Sequence, residues 1–193
     1  MLGWVPDYLA QPHPDLGRKG AVCPFVTKTV NVDRYLIALH DEVRAADRAQ
    51  IRDIVLSHAE GLQRHFPETD PDGAFTGLLV VFPELREPDA PILDALQDEM
   101  KTWMMSHDTM LAACHAHSSK PAINNPGFAV FRSPLPCFII RHMDVRDIAF
   151  LAHNGAAFAR YHVRFAQKFL DGKVSNEFGY VDRYNEARAR FGL

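Results

Sequence analysis

The sequence predicts an α/β (α+β) sandwich, a mixed or antiparallel sheet of about five short strands with helices packed on it and a helical C-terminus. Three observations carry this. Gly77 to Phe82, GLLVVF, is apolar on both faces, as a strand in the middle of a sheet must be. The stretches after Asp47 and after Asp89 repeat apolar residues at helical spacing, so strands and helices alternate. No glycine-rich phosphate loop follows a strand, which removes the dinucleotide and P-loop signatures.

In chain order, residues 1–24 carry four prolines and three glycines and read as an ordered irregular arm, pinned by Trp4 and Tyr8. Gly17 and Gly20 bracket Arg18 and Lys19 in a basic loop able to grip a carboxylate or phosphate, and Cys23 before a proline favours an extended approach. Tyr35 to His40 is a short apolar run with turn residues at both ends, a strand. Asp47 and Gln50 resemble a capping box for a helix with the stripe Ile51, Ile54, Val55, His58 and Leu62, stopped by Pro67. Glu68 to Gly73 is a turn cluster, and Pro83 ends the GLLVVF strand. Asp89 and Pro91 open a helix with Ile92, Leu93, Leu96, Met100, Trp103 and Met104 on its core side.

A strand is expected over Thr109 to His117, with further strands over Phe128 to Phe131 and Cys137 to Met143. Asp144 caps a short helix to about Ala152, Asn154 caps a longer one to Leu170, and a final helix covers Asn176 to Arg190. Arg160, Arg164 and Lys168 read as a solvated row. The chain is expected to be one domain, 1–193, with the arm at 1–24, the sheet and site at 25–152 and C-terminal helices at 153–193.

Net charge of −3 with scattered basic residues gives no footprint for nucleic acid and disfavours membrane surfaces. With no basic n-region, no long apolar run and three cysteines without CxxC spacing, a cytoplasmic location is expected.

The chemistry concentrates between Cys114 and Met143. In an extended 109–117 segment, His115 and His117 share a face about 7 Å apart and could ligate a metal or haem iron, or supply a base. Asn125-Pro126-Gly127 suits a type II turn returning the chain beside that strand, next to Asn124. Arg132 and Arg141 are candidate carboxylate clamps, and His142 faces opposite Arg141. His58 is a further candidate ligand on its helix, and no nucleophile elbow supports a hydrolase.

Gly17-Arg18 through Val22-Cys23-Pro24-Phe25, Asn125-Pro126-x-Phe128, Arg132-Ser133-Pro134-x-Pro136 and Arg141-His142-Met143 together resemble an uncharacterised bacterial domain family of biosynthetic gene neighbourhoods. In order, Cys-Pro-Phe, Val-Val-Phe-Pro and Pro-Cys-Phe look similar to the YqcI/YcgG family, which includes haem-dependent enzymes oxidising amino-acid nitrogens. The likeness implies a small-molecule biosynthetic enzyme oxidising a nitrogen-containing substrate. Haem would be held by His115, His117 or His58, with Arg132, Arg141 and His142 catalytic, and Arg18, Cys23, Asn124 and Asn125 at the substrate. The alternatives are a non-haem metal on His115 and His117, or a non-catalytic metabolite-binding or partner protein. A homodimer through the last helix is expected.

Overall fold

The protein is described here by a computed structural model covering residues 3–69, 73–176 and 178–193. Of the turn cluster Glu68 to Gly73, residues 70–72 lie outside the described residues. The chain is mixed α+β and divides into two compact units, one of residues 1–104 and 109–142, the other of 105–108 and 143–193.

The first unit carries the sheet. Strands β1 (Tyr35–Leu39), β2 (Gly77–Val81), β3 (Thr109–Cys114) and β6 (Cys137–His142) form one four-stranded sheet in the order β1-β2-β6-β3. β1 pairs parallel with β2, while β6 runs antiparallel to both β2 and β3. β1, β2 and β3 therefore point the same way and finish at one end of the sheet. Helix α2 (Arg48–His65) joins β1 to β2, and α3 (Ile92–Ser106) joins β2 to β3. Both connections step in one direction across the sheet, so both helices pack on the same face. That face buries Leu78, Val80, Phe138 and Ile140 against Ile51, Val55, Leu62, Leu93, Leu96 and Met100.

The opposite face is covered by the N-terminal arm. Val5, Leu9 and Val22 pack on Leu79, Val81, Cys114 and Cys137. The arm is more regular than its prolines suggest, holding a π-helical turn at Val5–Leu9, a 3-10 turn at Pro14–Leu16 and then α1 (Val26–Asn31), which the sequence did not reveal. β4 (Pro121–Ala122) and β5 (Asn125–Ala129) form a separate small hairpin.

Local signals set the helix ends. Asp47 accepts the Gln50 N–H at 3.1 Å, and the buried stripe of α2 runs Ile51, Val55, Ala59, Leu62. It is turned from the expected stripe, leaving His58 half-buried at its margin. Gly61 sits in the α2 interior, and a Cβ built there meets nothing within 4 Å. Gly61→Ala is expected to raise stability by about 0.5–1 kcal/mol, since glycine loses the most backbone entropy in a helix. Urea denaturation checks this, and a destabilised variant would refute it.

In the second unit, Asp144 and Asp147 form a reciprocal capping box ahead of α4 (Ile148–Leu151), and Asn154 accepts the Ala157 N–H at 3.0 Å to start α5 (Gly155–Leu170). α6 spans Tyr180–Phe191, starting later than expected. Tyr184 stacks on Phe169 with centroids 3.8 Å apart. The basic row of α5 is only partly solvated, because Arg160 and Arg164 lie 2.9 and 3.1 Å from Asp108. Among the described residues no helix is long and apolar enough to cross a membrane.

Candidate functional site

β3 stops at Cys114, three residues earlier than expected, because the chain turns there: the Ser118 N–H bonds the His115 carbonyl at 3.0 Å. The turn undoes the shared histidine face. His115 continues the alternation of Leu111 and Ala113 toward α3 and is 1% exposed, whereas the His117 side chain is 59% exposed and lies 3.0 Å from Glu87. The two imidazoles therefore go to different carboxylates and do not converge.

His115 Nε2 lies 3.0 Å from Asp94 Oδ2. A carboxylate only accepts, so Nε2 carries the proton and, in the neutral ring, Nδ1 is left as an acceptor. That Nδ1 is buried with no hydrogen-bond partner. Lys120 Nζ is 2.8 Å from Asp94 Oδ1 and also donates to Gln97 Oε1, which accepts the Ala113 N–H at 2.9 Å. β3 is an edge strand, so Gln97 covers a backbone donor that no neighbouring strand could take. Burial pushes the Asp94 carboxyl up, but the hydrogen bonds and charges of Lys120 and His115 outweigh it and hold the group below its ordinary range.

Asp94 and Gln97 are three apart in the first turns of α3 and share a helix face. Sequence reasoning missed them, although their position flanking the Leu93/Leu96 stripe was visible. It also missed Lys120, which stands just after the turn.

Arg132 is exposed and bonds the Ser118 carbonyl through Nε at 3.4 Å, over the same turn as His115. Among the described residues no carboxylate pairs with it. Tyr8 is near as well: burial and the Cys114 thiol raise its hydroxyl, while Arg132 pulls it down. Burial and the facing Cys137 raise the Cys114 thiol, which makes it a packing residue and not a nucleophile.

The other expected residues serve the framework. Arg18 turns back on its own loop, donating to the carbonyls of Lys19, Ala21 and Val22 at 2.8–3.1 Å. Cys23 is half-buried in the arm-side core. Asn125 donates to the Asp15 carbonyl at 2.6 Å, and a Cβ at Gly17, whose φ is +73°, would stand 2.6 Å from the Asn124 carbonyl. The asparagines thus dock the arm, which does close on the downstream segment. Asn125-Pro126-Gly127 is not a type II turn: it lies in β5, the chain reverses at Ile123 and Asn124, and Gly127 does not take positive φ. Arg141 lies over the Phe25 ring at 3.6 Å. His142 is buried and faces the other way, with Nε2 2.8 Å from the Phe66 carbonyl.

A second histidine group sits at the same end of the sheet, just past β1. His40 Nδ1 is 2.7 Å from Glu42, and His40 Nε2 is 2.8 Å from His58 Nε2. Burial, then the neighbouring His40, lowers the His58 imidazole below its usual value. His58 and His65 line a cavity of about 190 Å³ with Leu36, Leu62, Phe66 and Leu78.

A haem does not fit the imidazoles expected to hold it. His115 is enclosed with Nε2 on Asp94, and His117 stands exposed on a surface turn. The cavity beside His58 is smaller than the roughly 300–1,000 Å³ of drug-sized sites.

Comparison with family models matches residues 1–176 to one described as Domain of unknown function (DUF6875). No curated protein and no solved structure matches the chain.

Proposed function

The chain belongs to the DUF6875 family, a domain of unknown function, and from the geometry of its β3 edge we propose that it is a small-molecule enzyme using proton transfer on a carboxylate-bearing, amino-acid-like substrate. The observation that carries this reading is His115, a buried imidazole braced through Nε2 by Asp94 and left with an unpartnered Nδ1. Burying a polar atom unpaired costs roughly 1–3 kcal/mol, so a framework-only role would leave that cost without return.

In the proposed arrangement Arg132 takes the substrate carboxylate in a two-point hydrogen-bonded contact, for which a guanidinium is shaped. Lys120, whose side chain is 28% exposed, and the exposed Arg132 are the groups a bound molecule meets. The proton passes between the bound molecule and the free Nδ1 of His115, while Asp94 stays ionised, holds the ring through Nε2 and stabilises the imidazolium that forms. Lys120 keeps Asp94 from becoming protonated too readily. Proton transfer by such a positioned pair contributes about 10²- to 10⁴-fold in rate.

The test is thermal denaturation of the full chain against amino acids, 2-oxo acids and the matching amines without a carboxylate. A carboxylate ligand at a hundred times its Kd stabilises by about 2.7 kcal/mol, a shift of several degrees. Arg132→Ala is expected to weaken that ligand about 10- to 100-fold while leaving the unliganded melting temperature unchanged. No stabilisation by any carboxylate, or an equal shift in Arg132→Ala, would sink the proposal.

A further inference from the structure

We propose that His40 and His58 form a binding site for a divalent transition-metal ion, with Glu42 holding His40 in the ligating orientation. The site is separate from the Asp94 cluster: β1 and β3 are the two edge strands, three strand spacings or about 14 Å apart.

Three features point to a metal. First, the Nε2 atoms of the two rings face each other at 2.8 Å, with ring planes 72° apart. With His40 Nδ1–H donated to Glu42, His40 Nε2 is an acceptor and His58 Nε2–H the donor to it, and a metal ion can take the place of that one hydrogen between the two nitrogens. Zinc–imidazole bonds of about 2.0–2.1 Å in tetrahedral geometry set the nitrogens about 3.3 Å apart, so the rings need only part by about half an ångström. Second, the remaining nitrogen of His40 is 2.7 Å from the Glu42 carboxylate, the outer contact that fixes the tautomer of a metal-bound histidine and raises its basicity. Third, the ligands come from two supported elements. His40 follows β1 and keeps a backbone bond to the Val81 carbonyl at 2.9 Å, while His58 stands on α2.

Among the described residues no group of three or more His, Cys, Asp or Glu converges on one point. The protein therefore supplies two nitrogens and leaves the other positions to water or a small ligand. Imidazole donors suit zinc, copper and nickel, and among divalent ions copper binds most strongly.

The experiment is calorimetric titration of the metal-stripped full chain with Cu²⁺ and with Zn²⁺, alongside the visible spectrum of the Co²⁺ form. One equivalent is expected to bind specifically. His40→Gln and His58→Gln should each weaken it at least 10-fold, and Glu42→Gln should weaken it about 10- to 100-fold. His117→Gln serves as the surface control and should leave it unchanged. Glu42 is half exposed, so Glu42→Gln reads out the site even where a histidine variant folds poorly. Binding that is absent, or equal in wild type, Glu42→Gln and His58→Gln, would overturn the proposal and leave the rings sharing a proton only.

Discussion

Phe138→Ala is expected to destabilise the sheet-bearing unit by about 3–5 kcal/mol, the range for deleting a fully buried phenylalanine ring. Phe138 is 0% exposed on β6, the strand held between β2 and β3, and its ring meets Phe82 edge-to-face with centroids 6.3 Å apart at 89°. Helices cover this face, so the surroundings cannot collapse into the hole without moving α2 or α3. Since whole domains are stable by only about 5–15 kcal/mol, the variant should unfold at a much lower urea concentration. Leu39→Ala provides the contrast: Leu39 is 64% exposed and its loss should stay within about 0.5 kcal/mol. A Phe138→Ala midpoint close to wild type would contradict the packing described.

Asp94→Ala is expected to cost about 1–3 kcal/mol, toward the lower end because the carboxylate is about one-third exposed. It leaves the buried His115 Nε2 without its acceptor and Lys120 without its counter-charge. In a double-mutant cycle with His115→Gln the two losses should fall short of additivity by about 0.5–3 kcal/mol. The pH dependence has a definite sign. The folded carboxyl ionises at lower pH than the unfolded one, so the unfolded chain binds more protons in that window. The stabilisation is complete above the ordinary carboxylate value near 4 and is lost as pH falls through the lower folded value. Asp94→Asn should therefore flatten the acid limb of the stability curve. An additive cycle and an unchanged acid limb would show that Asp94 and His115 do not act together.

Much of the fold was legible residue by residue. GLLVVF is a central strand because neither face tolerates a polar side chain, and all five residues of β2 are buried. Asp47, Asp144 and Asn154 cap helices as read, since a cap depends only on a side chain reaching an N–H two or three residues on. The Met100 and Met104 stripe is core. The candidate site was legible only in outline. His115 and Arg132 do lie over one turn, but extending β3 by three residues put His117 on the wrong surface. The asparagine-proline-glycine run looked like a turn and is a strand, because Asn125 spends its side chain on Asp15 and on the Gly127 N–H at 2.9 Å.

The sequence by itself determined the central strand, most of the longer helices and strands, and the capping residues at Asp47, Asp144 and Asn154. These follow from side-chain periodicity and from contacts a few residues apart. Only the tertiary structure decided which polar groups meet: Asp94 with His115, 21 residues on, Lys120 with Gln97, 23 back, and His40 with His58, 18 apart. Those meetings depend on where a strand stops and how a helix is rotated against the sheet. A change of one residue in either turns an imidazole from the core to water, and nothing in the local sequence carries that information.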